Sequence, residues 1–292
     1  MLRDSPFGAM TPMCRISLVV AATAALCLAA PDAWAKKKDK EKPGSAAVAA
    51  AGQSPSPAPR VKATAEQRAI ANQGDPLARA AFWTREVDID PRDVPATLAL
   101  TQALRALGSY EDAAQVTGRL LMLEPNNVEG LLEMARIHIA RLQGFYGIEP
   151  GRKAQALAPR DWRPPALLAV AYEQANRPDE ALAAHRQAQA IAPNNPSVLS
   201  NLAMFLATHG DPPQAEKLLR TAAALPGASV QVRQNLALVV GLQGRFDEAE
   251  RLARQDLPPE VVANNMAYLH NVAGGGEAAG PVRDWNSLRT QP

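Results

Sequence analysis

The 292-residue chain carries 31 Lys and Arg against 29 Asp and Glu, a formal net charge of +2, too small and too evenly spread to mark a nucleic-acid-binding surface. Hydrophobic residues make up 47% and aromatic residues only 4%, which points to a core of short, closely packed helices rather than strands of period two. Both cysteines, Cys14 and Cys27, lie near the N-terminus, so the rest of the chain is excluded from disulfide, thiol and cysteine–metal chemistry.

Residues 1–35 read as an export signal. Arg15 precedes the apolar run Ile16–Ala30, and Ala33-Trp34-Ala35 gives a small-x-small pattern with cleavage expected after Ala35. The run is shorter than the roughly 20 residues that a spanning helix needs. Two alternatives stay open. Lys36-Lys37-Lys38 resist translocation and would favour a retained anchor, while Cys27 would suit a lipidated N-terminus but for Leu26, which stands where lipoprotein signals carry a small residue. Met10 or Met13 is an alternative start. Residues 36–60 are first charged, then rich in Ala, Ser and Pro without apolar periodicity, and are expected to form a disordered linker.

From residue 61 to 272 the prolines keep a fixed interval: Pro91, Pro125, Pro159 and Pro193 stand 34 residues apart, each closing an apolar helical stretch. Counted against them, the unit from Val94 carries Leu100, Leu104, Gly108, Tyr110 and Ala113, and Trp162–Asn195 carries Leu168, Ala169, Tyr172, Ala181 and Ala188. Pro196–Ser229 carries Leu202, Ala203, Leu206, Gly210, Ala215 and Ala222, and Val230–Ala263 carries Leu236, Ala237, Val240, Gly244, Phe246 and Ala249. Small residues fall where two helices cross and large ones one turn away. Glycine marks the turn between the helices, and Glu111-Asp112, Asp179-Glu180 and Asp247-Glu248 suit the positive end of the second helix.

Two units depart from the pattern. Between Val128 and Asp161 the first helix is good, but Gly144-Phe145-Tyr146-Gly147-Ile148-Glu149-Pro150-Gly151 is expected to break the start of the second and leave only a short helix. Its Phe145, Tyr146 and Ile148 read either as an exposed docking point or, as we expect, as residues tucked beneath the next unit. The leading unit, ending at Pro91, has a Gly74-Asp75-Pro76 turn and a second helix through Phe82 and Trp83, but a weak first helix. Residues 273–292 are expected to be a flexible tail in which Val282, Trp285 and Leu288 can pack locally.

A 34-residue helix–turn–helix period closed by proline resembles the tetratricopeptide repeat family over residues 61–272. The expected fold is all-α, a solenoid of antiparallel helix pairs. In relatives that bind extended peptides, asparagines on the first helices face the concave wall. The matching positions are Asn201, Asn235 and Asn265, with Met204 and Gln234 beside them. An amide both donates and accepts and has no charge to desolvate, which suits a peptide backbone; the plainer reading is that it bonds a neighbouring helix. Ser200, Met204, Gln234 and Leu238 carry no charge, so no carboxylate clamp is expected.

Nothing in the sequence calls for catalysis. His138, His185, His209 and His270 fall in different units at different helix offsets, without metal-ligand spacing, and Gly274-Gly275-Gly276 follows no strand and lacks the lysine and hydroxyl of a phosphate loop. The expectation is a non-enzymatic scaffold without cofactor or metal, binding protein rather than nucleic acid. Residues 232–269, with the export signal, resemble the TadD family of tight-adherence (Flp) pilus assembly proteins. That resemblance implies a periplasmic scaffold for the pilus secretion apparatus, partnered by an outer-membrane secretin or another assembly component and meeting the membrane only through an N-terminal anchor. The alternative is a general periplasmic scaffold for cell-wall or outer-membrane assembly.

Overall fold

A computed structural model describes residues 61–273, and every regular element among them is an α-helix. The helices come in consecutive pairs: α1 (Ala65–Ala71) with α2 (Pro76–Ile89), α3 (Val94–Ala106) with α4 (Tyr110–Leu123), α5 (Val128–Ala140) with α6 (Gly144–Leu157), and α7 (Arg163–Gln174) with α8 (Pro178–Ile191). Next come α9 (Pro196–Thr208) with α10 (Pro212–Ala224), α11 (Val230–Leu242) with α12 (Phe246–Ala253), and α13 (Pro259–Ala273) after them. The expected export signal, the linker and nearly all of the tail lie outside the described residues.

The 34-residue interval has a backbone cause. Gly108, Leu142, Asn176, Gly210 and Gly244 all sit in the left-handed region, with φ of 76°, 57°, 56°, 94° and 82°. In each case the next residue's N–H reaches back over the turn, from Ser109 to the Leu104 carbonyl, Gln143 to His138, Arg177 to Tyr172, Asp211 to Leu206 and Arg245 to Val240. This is the Schellman ending, which satisfies orphan carbonyls of the first helix and reverses the chain. The prolines end the other helix of each pair: Pro91, Pro125, Pro159 and Pro193 each stand two residues beyond the last helical residue of α2, α4, α6 and α8, where a ring without an N–H prevents continuation.

Consecutive first helices approach one another closely: α3, α5 and α7 touch in series, and so do α9, α11 and α13. Second helices make no comparable approach among the described residues. They are bridged by long side chains, Gln155 of α6 donating to Gln187 of α8 at 2.7 Å and Arg220 of α10 meeting Glu248 of α12 at 2.5 Å. Closer spacing on one side than on the other curves the stack and puts the first helices on its inner wall. The core between layers is alanine-lined at the crossings, with Ala96, Ala103, Ala113, Ala135, Ala154, Ala169, Ala181, Ala203, Ala215 and Ala222 all fully buried.

Three expectations are corrected. The Gly144–Gly151 stretch does not break its helix: α6 is 14 residues long with Pro150 inside it. Its glycines let it lie against its neighbours. A Cβ on Gly144 would stand 2.5 Å from the Ala171 carbonyl oxygen, and one on Gly151 would stand 2.9 Å from Leu168 Cδ2. Buried Ile148 and Ala154 then supply the packing that overrides poor propensity. The expected tuck holds for Ile148 alone, because Phe145 and Tyr146 are 67% and 61% exposed. The last full unit also falls short of Ala263. Helix α12 has 8 residues, Pro258-Pro259 stops the chain from continuing it, and α13 starts at Pro259. The weak first helix expected of the leading unit is α1, which is short and has no buried residue.

Candidate functional site

The five candidate residues fall on three successive inner helices: Asn201 and Met204 on α9, Gln234 and Asn235 on α11, and Asn265 on α13. The structure brings three of them together. Between α11 and α13 lies a groove of ≈ 220 Å³, lined by Gln231, Gln234, Asn235, Leu238, Asn265 and Tyr268, with Ala237, Ala253, Leu257, Met266 and Leu269 at its apolar base. Asn201, exposed, and Met204, half-buried, lie outside this lining.

Gly241 permits the close approach of the two helices that flank the groove. A Cβ there would come within 2.5 Å of Leu269 Cδ1, so the missing side chain is what lets α13 settle against α11. Leu236, Val239 and Val240 continue the same core. The opening stays on the amide side of α11, where polar residues meet solvent.

Asn235 is already engaged. Its Nδ2 donates to buried Ser200 Oγ at 3.0 Å, and its Oδ1 accepts from Gln231 Nε2 at 2.9 Å. The amide therefore ties α11 to α9 and serves the plainer role named for it in the sequence. Gln234 and Asn265 are the groove amides left to meet a ligand. Gln231 and Tyr268 belong to the site and were missed. Gln231 stands one turn before Asn235, a spacing that was available, whereas Tyr268 lies on α13, whose start departs from the 34-residue interval.

None of the lining residues carries a formal charge. The groove thus lacks the means to clamp a carboxylate, and its amides match the alternating donors and acceptors of an extended backbone. At ≈ 220 Å³ it is smaller than the about 300–1,000 Å³ typical of small-molecule sites, a size for one or two side chains. No group of three or more potential metal ligands occurs among the described residues.

A family model for the tetratricopeptide repeat matches residues 172–225, from the end of α7 through α10. The fold is a tetratricopeptide-repeat solenoid. A solved thermophilic repeat protein of Thermus thermophilus is 24% identical, with 60% of this chain and 97% of that one covered at a TM-score of 0.53. A tetratricopeptide repeat protein from Parabacteroides merdae is 13% identical, with 72% and 86% covered at a TM-score of 0.59. The Cut9–Hcn1 hetero-tetramer of the APC/C is 16% identical, with 70% of this chain but 40% of that one covered, also at 0.59. No curated protein matches the sequence.

Around the tetratricopeptide core, ion pairs clasp helices both within and between repeats. Arg163 at the start of α7 bonds Asp161 at 2.6 Å and Glu129 of α5 at 2.7 Å. Burial opposes charge on Asp161, but the Arg163 hydrogen bonds outweigh it and hold the carboxyl below its ordinary range. Glu216 of α10 is likewise held low against burial by Arg220, Gln243 and Arg245, and Asp256 by Arg233 of α11 at 2.6 Å. Within α7 and α8, His185 is 2% exposed and shares a 2.7 Å hydrogen bond with Glu173, so this histidine serves the helix pair. No described helix is long and apolar enough to cross a membrane.

Proposed function

We propose that the chain is a non-enzymatic protein-binding scaffold of the bacterial cell envelope, whose inner wall holds an extended segment of a tight-adherence (Flp) pilus assembly partner. The observation that carries the binding half is the uncharged groove between α11 and α13, with Gln234 and Asn265 at its rim and Tyr268 and Leu238 beside them. The amides serve the partner's backbone and the apolar residues take one of its side chains. The envelope half is supported by the export pattern of residues 1–35, and the pilus half by the resemblance of residues 232–269 to TadD proteins.

Photo-crosslinking from position 265 in the host envelope, with mass spectrometry of the product, tests both halves. Capture of an outer-membrane secretin or another pilus assembly component is expected. Capture of cell-wall or general outer-membrane assembly proteins alone would replace the pilus role with that of a general periplasmic scaffold. If positions 265, 234 and 201 all capture nothing, the amides return to helix packing.

A further inference from the structure

Helix α13 has two apolar faces. Val262, Met266 and Leu269 turn inward against α11 and α12. Val261, Tyr268 and Val272 lie on the outer face, 40%, 52% and 39% exposed. Together with Asn265 they follow the spacing i, i+4, i+7, i+11, which is one stripe along a helix. Earlier first helices are covered by a second helix of their own and by the next repeat. Within the described residues α13 has only α11 and α12.

The sequence supplies a segment of matching character next to it. Gly274-Gly275-Gly276-Glu277-Ala278-Ala279-Gly280-Pro281 follows α13, and then Val282, Trp285 and Leu288 recur every third residue, separated by Arg283, Asp284, Asn286 and Ser287. Three apolar residues at that spacing share one side of a helical turn. The eight connecting residues reach about 26 Å when extended. The 15-residue α13 is about 22 Å long, so the segment can return to any point on the stripe. A glycine-rich connector is also what a reversal of direction needs.

We propose that Val282, Trp285 and Leu288 dock on the Val261–Tyr268–Val272 stripe of α13, the last of the described helices. Asn265 and Tyr268 belong both to the stripe and to the groove, so the tail and a bound protein segment compete for them. The docking itself stands on α13 and the tail alone and is independent of the function proposed above.

Hydrogen exchange on the full chain tests it. In a Trp285→Ala/Leu288→Ala variant the amides of residues 264–272 are expected to exchange about tenfold faster, with those of α5 unchanged as the internal reference. Conversely, Tyr268→Ala, a change at an exposed position, is expected to speed exchange across residues 282–288. Unchanged rates in both variants would overturn the proposal. So would protection of α13 that fades on tenfold dilution of the protein, since that result assigns the stripe to a second copy of the chain.

Discussion

Leu142 has φ of +57° and is 81% exposed, so it meets the conformational demand of its turn with a poorly suited residue and gains no packing in return. The corresponding turns use Gly108, Gly210 and Gly244, which carry no Cβ penalty, and Asn176, which tolerates this region. Leu142→Gly is expected to raise stability by about 1 kcal/mol, read from the urea midpoint at unchanged m-value. Glycines within helices divide by what surrounds them. Gly118 in α4 has nothing within 4 Å of where its Cβ would be, so Gly118→Ala should stabilise by about 0.5–1 kcal/mol through helix propensity. Gly144→Ala should instead cost about 1–3 kcal/mol, because its Cβ would strike the Ala171 carbonyl and the Gln174 Cβ at 2.5 and 2.6 Å. Equal effects from the two alanines would refute this reading of α6.

Helix α1 buries no residue, so polar contacts hold it in place. Glu86 of α2, 1% exposed, accepts from the Ala63 N–H and from Nε and Nη2 of Arg68. Arg68 also reaches Asp93 at 2.8 Å, and its guanidinium lies 5.6 Å from the Trp83 ring centre. Arg68→Ala removes the partner of a buried carboxylate, an arrangement costly to leave unpaired. Protease cleavage within residues 61–72 should then accelerate by an order of magnitude or more while α3 to α11 keep their protection; an unchanged cleavage rate would show that α1 is held some other way. Periodicity made most elements legible in the sequence, because proline and glycine act through the local backbone and leave a regular trace. Helix α6 was not legible. Its glycines look like breakers until α5 and α7 are placed around them, and close approach between helices leaves no local signature. The site was half legible for a related reason. Asn235 and Asn265 each precede a large apolar residue and an alanine in the sequence, but only the packing of α13 on α11 shows which side chains line a groove with Asn265, and only the placement of Ser200 shows that Asn235 is already bonded.

Across the whole solenoid, stability is a sum over repeats and the interfaces between them, and many of the clasps at those interfaces are titratable. Glu216 joins α10 to the next repeat through Gln243 and Arg245, Asp161 holds the Arg163 that reaches Glu129 of the preceding repeat, Asp256 ties down Arg233 within its own repeat, and each carboxyl is held below the ordinary range. A carboxylate with a lowered folded pKa contributes fully above its unfolded value, near 4, and the contribution is lost as pH falls through the lower folded value. His138 adds a separate window. Burial, reinforced by the charge of Arg141, holds its imidazole below the ordinary value of about 6.5. The unfolded chain therefore takes up that proton first, and stability also declines as pH drops from about 6.5 toward the folded value. The thermal midpoint is thus expected to fall modestly between pH 7 and 5 and steeply below pH 4. Because the Glu216 and Asp161–Arg163 clasps act between repeats, the steep limb should also broaden the transition as the repeats uncouple. His138→Gln should flatten the first decline and leave the second, while Asp161→Asn should lower the midpoint at pH 7 and soften the acid limb. A midpoint independent of pH from 7 to 3 would show that these clasps hold no net stability, and an acid limb that stays sharp would place their contribution within repeats instead of between them.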